Sequence, residues 1–375
     1  MPLLNDVQLA ERIFQHVDEK TSDKGDSVWR EPAENYMSEE RFQAELRAMR
    51  RLPVAFCPSG AVAEPGDYVA RTAAGVPLLV VRGDDGKVRA FRNACRHRGM
   101  QVAEGEGSKK TFICPYHAWA YGTDGKLKHV PGADGFPCVA KEDHGLVPVH
   151  DVVERSGLVF VTQDEPISDG ALADLPEDLL GGEQTVFNTI TFTDKANWKL
   201  IGETSMEGYH IRALHNKTFY PYGYDNLNVV ELFGRNSRIV FPFRRIEKLR
   251  ERPKEEWSLQ GRVTDVIQLF PNVHTSTLTD HVMLIILEPI SVNETRWIIY
   301  QMRPKAADAT FDEAKARRDA DFVQETGLRE DRAAATSIQE ALKSGANDHF
   351  TFGQYEAAIG HFHKHLTEHV SKVAR

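Results

Sequence analysis

The stretch CRHRGMQVAEGEGSKKTFICPYHAW, running from Cys95 to Trp119, contains Cys95-x-His97 and, after sixteen intervening residues, Cys114-x-x-His117. Structural zinc sites usually pair two nearby cysteines with a later pair of histidines, whereas here each half mixes one Cys with one His. That mixture suits a [2Fe–2S] cluster in which two thiolates hold one iron and two neutral imidazoles the other, raising the reduction potential above that of an all-thiolate cluster. Gly99 and Pro115 are expected to shape tight loops beside the ligands, with Tyr116 and Trp119 packing around the cluster.

On both sides of this stretch the chain reads as short apolar runs broken by turns. Pro77–Arg82 and Lys87–Asn93 flank Gly-Asp-Asp-Gly, a β-hairpin signal. Tyr121 and Leu127 flank Thr-Asp-Gly, and Gly157–Val161 is another strand. Residues from about Val54 to Gln163 therefore form a small antiparallel β domain. Before it, apolar spacing predicts helices over Leu4–Val17 and Ser38–Arg51 with a polar loop over 22–37. After it, Asp164–Gly182 reads as a linker, Val186–Thr193 as a strand and Asn197–Leu214 as a helix. Arg238–Leu249, Gln260–Phe270, His281–Glu288 and Arg296–Arg303 alternate as sheet. Helices over Phe311–Lys343, interrupted near Gly327, and Gln354–Lys372 close the chain, giving an α+β class.

With 375 residues, 41% hydrophobic and 27% charged, the chain can bury a sizeable core in two domains. A net charge of -9 without a basic patch argues against nucleic acid and anionic membranes as partners. The first twenty residues carry no apolar run of signal-peptide or anchor length, so the expected location is cytoplasmic. Of four cysteines, Cys57 and Cys138 lack a companion pattern and read as core or surface thiols.

A second constellation lies in NWKLIGETSMEGYHIRALH, with Glu207-x-x-His210-x4-His215. Two neutral histidines and one carboxylate on one face of an iron, with positions left open, are the arrangement used for O2 activation by non-haem Fe(II). Residues five apart on a regular helix point about 140° apart. Convergence of His210 and His215 therefore requires an irregularity, expected at Ile211–Leu214. For the third ligand Asp331 is the choice from spacing, with Glu330 and Asp321 competing.

Taken together, C-x-H-R-G, C-P-Y-H-x-W, N-W-K-L, the Glu207–His210–His215 spacing and the later Glu330–Asp331 pair resemble the α subunit of Rieske-type non-haem iron oxygenases, from about Val54 through the last helix. The resemblance implies a Rieske [2Fe–2S] domain, residues 51–165, inserted in a helix-grip catalytic domain made of residues 1–50 and 166–375. It implies cluster ligation by Cys95, His97, Cys114 and His117, and mononuclear iron held by His210, His215 and Asp331. It makes Glu207 a bridge that passes electrons between subunits of a head-to-tail homotrimer, with or without a small β subunit, toward a Rieske histidine identified with His117. Two departures are visible: Arg96 replaces the proline common between the first Cys and His, and Thr204 replaces the asparagine that often follows Glu203.

No P-loop or dinucleotide fingerprint is present, since Gly105-x-Gly107 lacks a third glycine. NAD(P)H electrons would therefore arrive through a separate flavin reductase or ferredoxin. The expected reaction is hydroxylation of an aromatic or alicyclic compound with O2, as in aromatic hydrocarbon catabolism. A second reading is monooxygenation of a quaternary ammonium or methoxy compound with loss of a methyl group, kept open because the E-D…Q-x-A-L-K-S stretch resembles the carnitine-type branch of the family. Phe219–Tyr224, Phe233, Phe241, Phe243 and Phe270 are candidates for the pocket wall, at least half of them expected in the core instead. A reading of another class is an electron carrier that uses the cluster alone. His361, His363, His365 and His369 read as the solvated face of a helix.

Overall fold

The computed structural model describes residues 3–168, 170, 172–279, 281–307, 311–325 and 327–373. The chain divides into two compact units: Met1–Ala48, Ala173–Pro176 and Phe187–Arg375 in one, and Met49–Leu172 with Glu177–Val186 in the other.

The smaller unit is built from three antiparallel sheets. One has four strands in the order Val88–Arg92, Val76–Arg82, Asp67–Ala73, Gly105–Ser108. The second orders Thr111–Ile113, Ala120–Gly122, Leu127–His129, and the third Asp151–Arg155, Leu158–Thr162, Val54–Pro58. Both predicted hairpins form. The turn residues carry the chain round while alternate side chains such as Leu79, Val81 and Phe91 enter a core shared with Phe112, Trp119 and Tyr121.

The larger unit is a seven-stranded antiparallel sheet covered by helices. Its order is Gln184–Asp194, Glu294–Pro304, Val282–Ser291, Val273–Thr277, Val263–Leu269, Asn236–Pro242, Val229–Phe233. The helices are α1 (Asp6–Glu19), α2 (Glu39–Arg50), α3 (Trp198–Glu203), α4 (Ile211–Leu214), α5 (Glu313–Glu325), α6 (Gly327–Ala341) and α7 (Ala357–Ser371). Leu200 and Ile201 of α3 and Ala335 of α6 pack on Met283, Ile285, Leu287, Trp297 and Ile299 of the central strands. α1 lays Leu9, Ile13 and Phe14 over Val229, Val240 and Val263. Among the described residues no helix is long and apolar enough to cross a membrane.

Four local expectations change. The polar segment 22–37 holds the strand Trp29–Pro32, paired antiparallel with His349–Phe352, because its partner lies over 300 residues away and leaves no local signal. The strand expected over Arg238–Leu249 ends at Pro242, and a 3₁₀ helix occupies Arg244–Glu251. The C-terminal histidines are not a uniformly wet face, since His363 and His369 are buried. The continuous helix over Asn197–Leu214 is two short pieces, α3 and α4.

Candidate active site

α3 begins where the Asn197 side chain accepts a hydrogen bond from the Lys199 amide (3.1 Å). It stops after Glu203 because the next two residues carry hydroxyls that bond backward. Thr204 Oγ1 donates to the Ile201 carbonyl (2.8 Å) and Ser205 Oγ to the Gly202 carbonyl (2.9 Å), competing with continued helix. Gly208 follows at a close approach, where a Cβ would lie 2.8 Å from Asn228 Oδ1. The irregularity expected inside Ile211–Leu214 thus falls before His210 instead, and Ile211–Leu214 is a single regular turn. His210 sits at its N-cap with helical φ -78 and ψ -17, whereas His215, at its C-cap with φ -95 and ψ 30, has left the helix. Their Nε2 atoms lie 3.2 Å from each other.

Each imidazole is held from behind. His210 Nδ1 bonds Glu207 Oε1, and the other oxygen of Glu207 accepts from the amides of Tyr209 and His210. His215 Nδ1 lies 2.7 Å from Glu330 Oε2, which also accepts from Thr218 Oγ1 at 2.7 Å. With carboxylates on both Nδ1 atoms, the protons reside there, and both Nε2 atoms present lone pairs. Asp331 Oδ1 faces them at 3.0 Å from His215 and 3.5 Å from His210. This oxygen is buried and has no well-formed hydrogen bond among the described residues. Three electron-rich atoms pointed at one another repel unless a cation lies among them. The three donor groups all fall within 4.8 Å of one another, the span a single metal ion bridges. Burial opposes protonation of both histidines, yet Glu207 beside His210, and Asp331 and Glu330 beside His215, outweigh it and raise both pKa values. The pocket favours positive charge.

α6 is fixed so that Asp331 reaches this point. Arg332 grips Asp194 through two nitrogens (2.6 and 2.7 Å), and Gln339 Oε1 accepts from the Asn197 amide at the start of α3 (2.7 Å). Asp321 is exposed on α5, and Glu330 serves the far side of His215, so of the three competing acids only Asp331 faces both Nε2 atoms.

These groups open on a cavity of about 550 Å³. Phe219, Tyr222, Tyr224, Phe241 and Phe243 line it, more of the expected aromatics than the core claims. Phe233 is buried elsewhere, and Phe270 packs against Phe362 and His369. His274, also in the wall, bonds Ser205 Oγ at 3.0 Å, and burial pushes its pKa down to about 4.

Behind α3 lies a buried network with no local motif. Tyr36 donates to Glu203 Oε1 (2.7 Å), which also lies 2.8 Å from His363 Nε2. Lys199 and Glu45, both fully buried, pair at 2.8 Å. Burial pushes the Glu203 carboxyl up to about 8 against the Tyr36 hydrogen bond and Lys199, while burial drives His363 down to about 4. Only the two charged residues Lys199 and Glu203 in the otherwise apolar helix WKLIGE hinted at this.

In the smaller unit the two Cys–His loops share one backbone pattern. The Cys95 amide donates to Met100 O and Gly99 N to Cys95 O, both at 2.8 Å. Likewise Cys114 N donates to Trp119 O (2.8 Å) and Ala118 N to Cys114 O (2.9 Å). The fifth residue of each loop takes positive φ, 80° at Gly99 and 57° at Ala118. Asn93 anchors the first loop by accepting from Val102 N (2.9 Å). Cys95 and Cys114 are buried free thiols, whereas His97 is half-buried and His117 exposed, their rings 4.6 Å apart. Trp119 stacks on His97 at 5.1 Å, and Tyr116 lies over His117. Tyr121 OH accepts from the Arg96 amide (2.9 Å), which leaves its own proton for Cys95 Sγ at 3.2 Å. Two buried sulfurs beneath two adjacent imidazoles fit the donor set of a mixed-ligand [2Fe–2S] cluster. Arg96, the first departure, turns its guanidinium to Gly145 O (3.1 Å).

A mixed Cys/His cluster domain in one chain with an antiparallel sheet domain that carries a two-His, one-carboxylate set defines the class of Rieske proteins with a non-haem iron catalytic domain. Residues 53–140 match the Rieske [2Fe-2S] domain, and residues 180–372, just over half of the chain, match the ring hydroxylating alpha subunit catalytic domain. The chain belongs to the ring hydroxylating alpha subunit family. It is similar to the carnitine monooxygenase oxygenase subunit of Acinetobacter baumannii, 33% identical over 51% of this chain and 53% of the relative. The chain thus spans about half the length of that relative. The glycine betaine monooxygenase oxygenase subunit of Pseudomonas aeruginosa is 27% identical over 72% of each chain. Among solved structures, a quaternary ammonium Rieske monooxygenase has the same fold, with TM-score 0.78 at 21% identity over 98% of this chain and 99% of that one.

Proposed function

We propose that the chain is the terminal oxygenase component of a Rieske system, hydroxylating a small organic compound with O2 and electrons from a separate ferredoxin or flavin reductase. The observation that carries this reading is the convergence of His210 Nε2, His215 Nε2 and the orphaned Asp331 Oδ1 at the edge of a cavity. Iron bound by these three residues would supply O2 activation at open coordination positions. Cys95 and Cys114 would hold one iron of the cluster, His97 and His117 the other. Glu207 and Glu330 keep the Nδ1 protons in place and aim both lone pairs inward. Burial of His215 keeps water from the inner wall.

For electron delivery we assign Glu207 a second task. In a head-to-tail homotrimer it would bond His210 in its own site and His117 of the partner subunit, so the trimer is part of the reaction. A small β subunit is compatible with this arrangement.

For the substrate, oxidation of a methyl group on a quaternary ammonium compound takes precedence over ring hydroxylation. It is supported by the likeness to the carnitine and glycine betaine enzymes, and by the aromatic side chains of Phe219, Tyr222 and Phe241, whose faces can receive an N-methyl cation. Hydroxylation of an aromatic or alicyclic compound is the second reading, favoured by a cavity roomy enough for one ring system. The test is O2 uptake by the iron-loaded protein with a generic reductase, across quaternary amines, aromatic acids and alicyclics. Iron content limited to the cluster, with no uptake on any candidate, would leave the carrier reading.

A further inference from the structure

Arg244 and Arg245 stand in the wall of the same cavity, at the start of the 3₁₀ segment Arg244–Glu251. Each guanidinium lies over a neighbouring aromatic ring. The Arg244 guanidinium lies 5.4 Å from the centre of the Tyr224 ring and 5.8 Å from that of Tyr220. Arg245 lies 4.9 Å from the Phe243 ring. The backbone beneath is fixed by the Arg244 amide, which donates to Tyr222 O at 2.8 Å. A guanidinium held over a ring by cation–π attraction still has N–H groups to offer a further partner.

Those edges have no partner among the described residues. Neighbouring acids are committed elsewhere: Glu247 to Arg250 and Tyr224, Asp225 to Arg212, and Asp265 to Arg238. Both side chains are exposed, and they line, together with Glu207, Asp319 and Asp331, the cavity into which the His–His–Asp set opens. An anion meets two planar donor forks, the geometry that matches a carboxylate.

Resting on the oxygenase reading, we propose that Arg244 and Arg245 are the carboxylate-recognition site of the cavity. The substrates are then small organic carboxylates, whether the remainder is an aromatic ring or a trimethylammonium group. The two arginines bind and orient; they do not touch the reacting carbon.

The test uses the full-length, iron-loaded protein under anaerobic conditions, with calorimetric titration of two matched pairs: benzoate with benzamide, and glycine betaine with its carboxamide. The wild type should bind at least one acid about tenfold or more tightly than its amide, and the better pair identifies the rest of the substrate. The R244A/R245A variant should erase that preference, leave amide binding unchanged and, in separate aerobic O2-uptake assays, raise KM for the acid with little change in kcat. R244K/R245K should restore part of the preference. Acids binding no better than amides, or an acid preference that survives in R244A/R245A, would overturn the assignment. Iron content and O2 uptake are scored separately: acid preference without a third iron would sink the oxygenase reading and leave the anion site standing.

Discussion

Glu330 and Asp331, consecutive on α6, grip opposite nitrogens of one imidazole: Glu330 lies 2.7 Å from His215 Nδ1 and Asp331 3.0 Å from its Nε2. Neighbouring residues on a helix point about 100° apart, so a ring lying between them has a carboxylate at each edge, one bonding Nδ1 and the other facing the Nε2 lone pair. The pair separates two functions that look alike in sequence.

Asp331→Ala should therefore remove a metal donor, and Glu330→Gln only an orienting group. In Asp331→Ala, iron analysis should show a loss of about one iron per chain while the cluster's visible absorption persists. In Glu330→Gln, the mononuclear iron should remain at high metal concentration but bind roughly 10–100-fold more weakly. Equal behaviour of the two variants would contradict this division.

Tyr121 should tune the cluster. Its hydroxyl donates to Cys95 Sγ, and a donor at sulfur favours the more negative, reduced state. Tyr121→Phe removes about 1 kcal/mol of hydrogen bond, so the midpoint potential should fall by roughly 40 mV for this one-electron couple. Protein-film voltammetry would show it; an unchanged or higher potential would refute the role.

Buried Glu203 predicts a pH dependence of stability. Its folded pKa, about 8, lies above the ordinary 4.5, so the folded protein keeps a proton that the unfolded chain releases. Stability should decline as pH rises from about 4.5 to 8, with a slope up to about 1.4 kcal/mol per unit from this group. Glu203→Gln, which cannot ionise, should flatten that decline in urea titrations at pH 6 and pH 8.

His363 acts on the opposite side. Its pKa is depressed to about 4 from 6.5, so the unfolded chain takes up the proton first and stability should fall as pH drops from 6.5 toward 4. His363→Gln should lessen the loss on acidification, measured by the same titrations. A variant as acid-labile as the wild type would refute it.

The cluster loops and the His–x4–His pair were legible because their chemistry is encoded in short spacings of rare ligand types. The position of the break was not. His210 and His215 had to escape the helix, but Thr204 and Ser205 bond backward and end α3 earlier than ligand geometry alone suggests. Glu207, Glu330 and Asp331 were all visible as acids. Which of them faces Nε2 depends on the tertiary ties Arg332–Asp194 and Gln339–Asn197, made across more than 130 residues. The Tyr36–Glu203–His363 network spans over 300 residues and had no periodic trace. His363 therefore read as one more wet histidine on α7.

Cys95 and Cys114 lie beneath the surface among Phe112, Trp119 and Tyr121, while His117 faces solvent. A cluster held there would be reached through one side only, since Cys95 and Cys114 would bury their end of it while His117 would bring the other to the surface. Charging and discharging must share that socket and take turns at it. A donor protein that lingers obstructs the next transfer, so turnover should pass through a maximum and then decline as donor concentration rises.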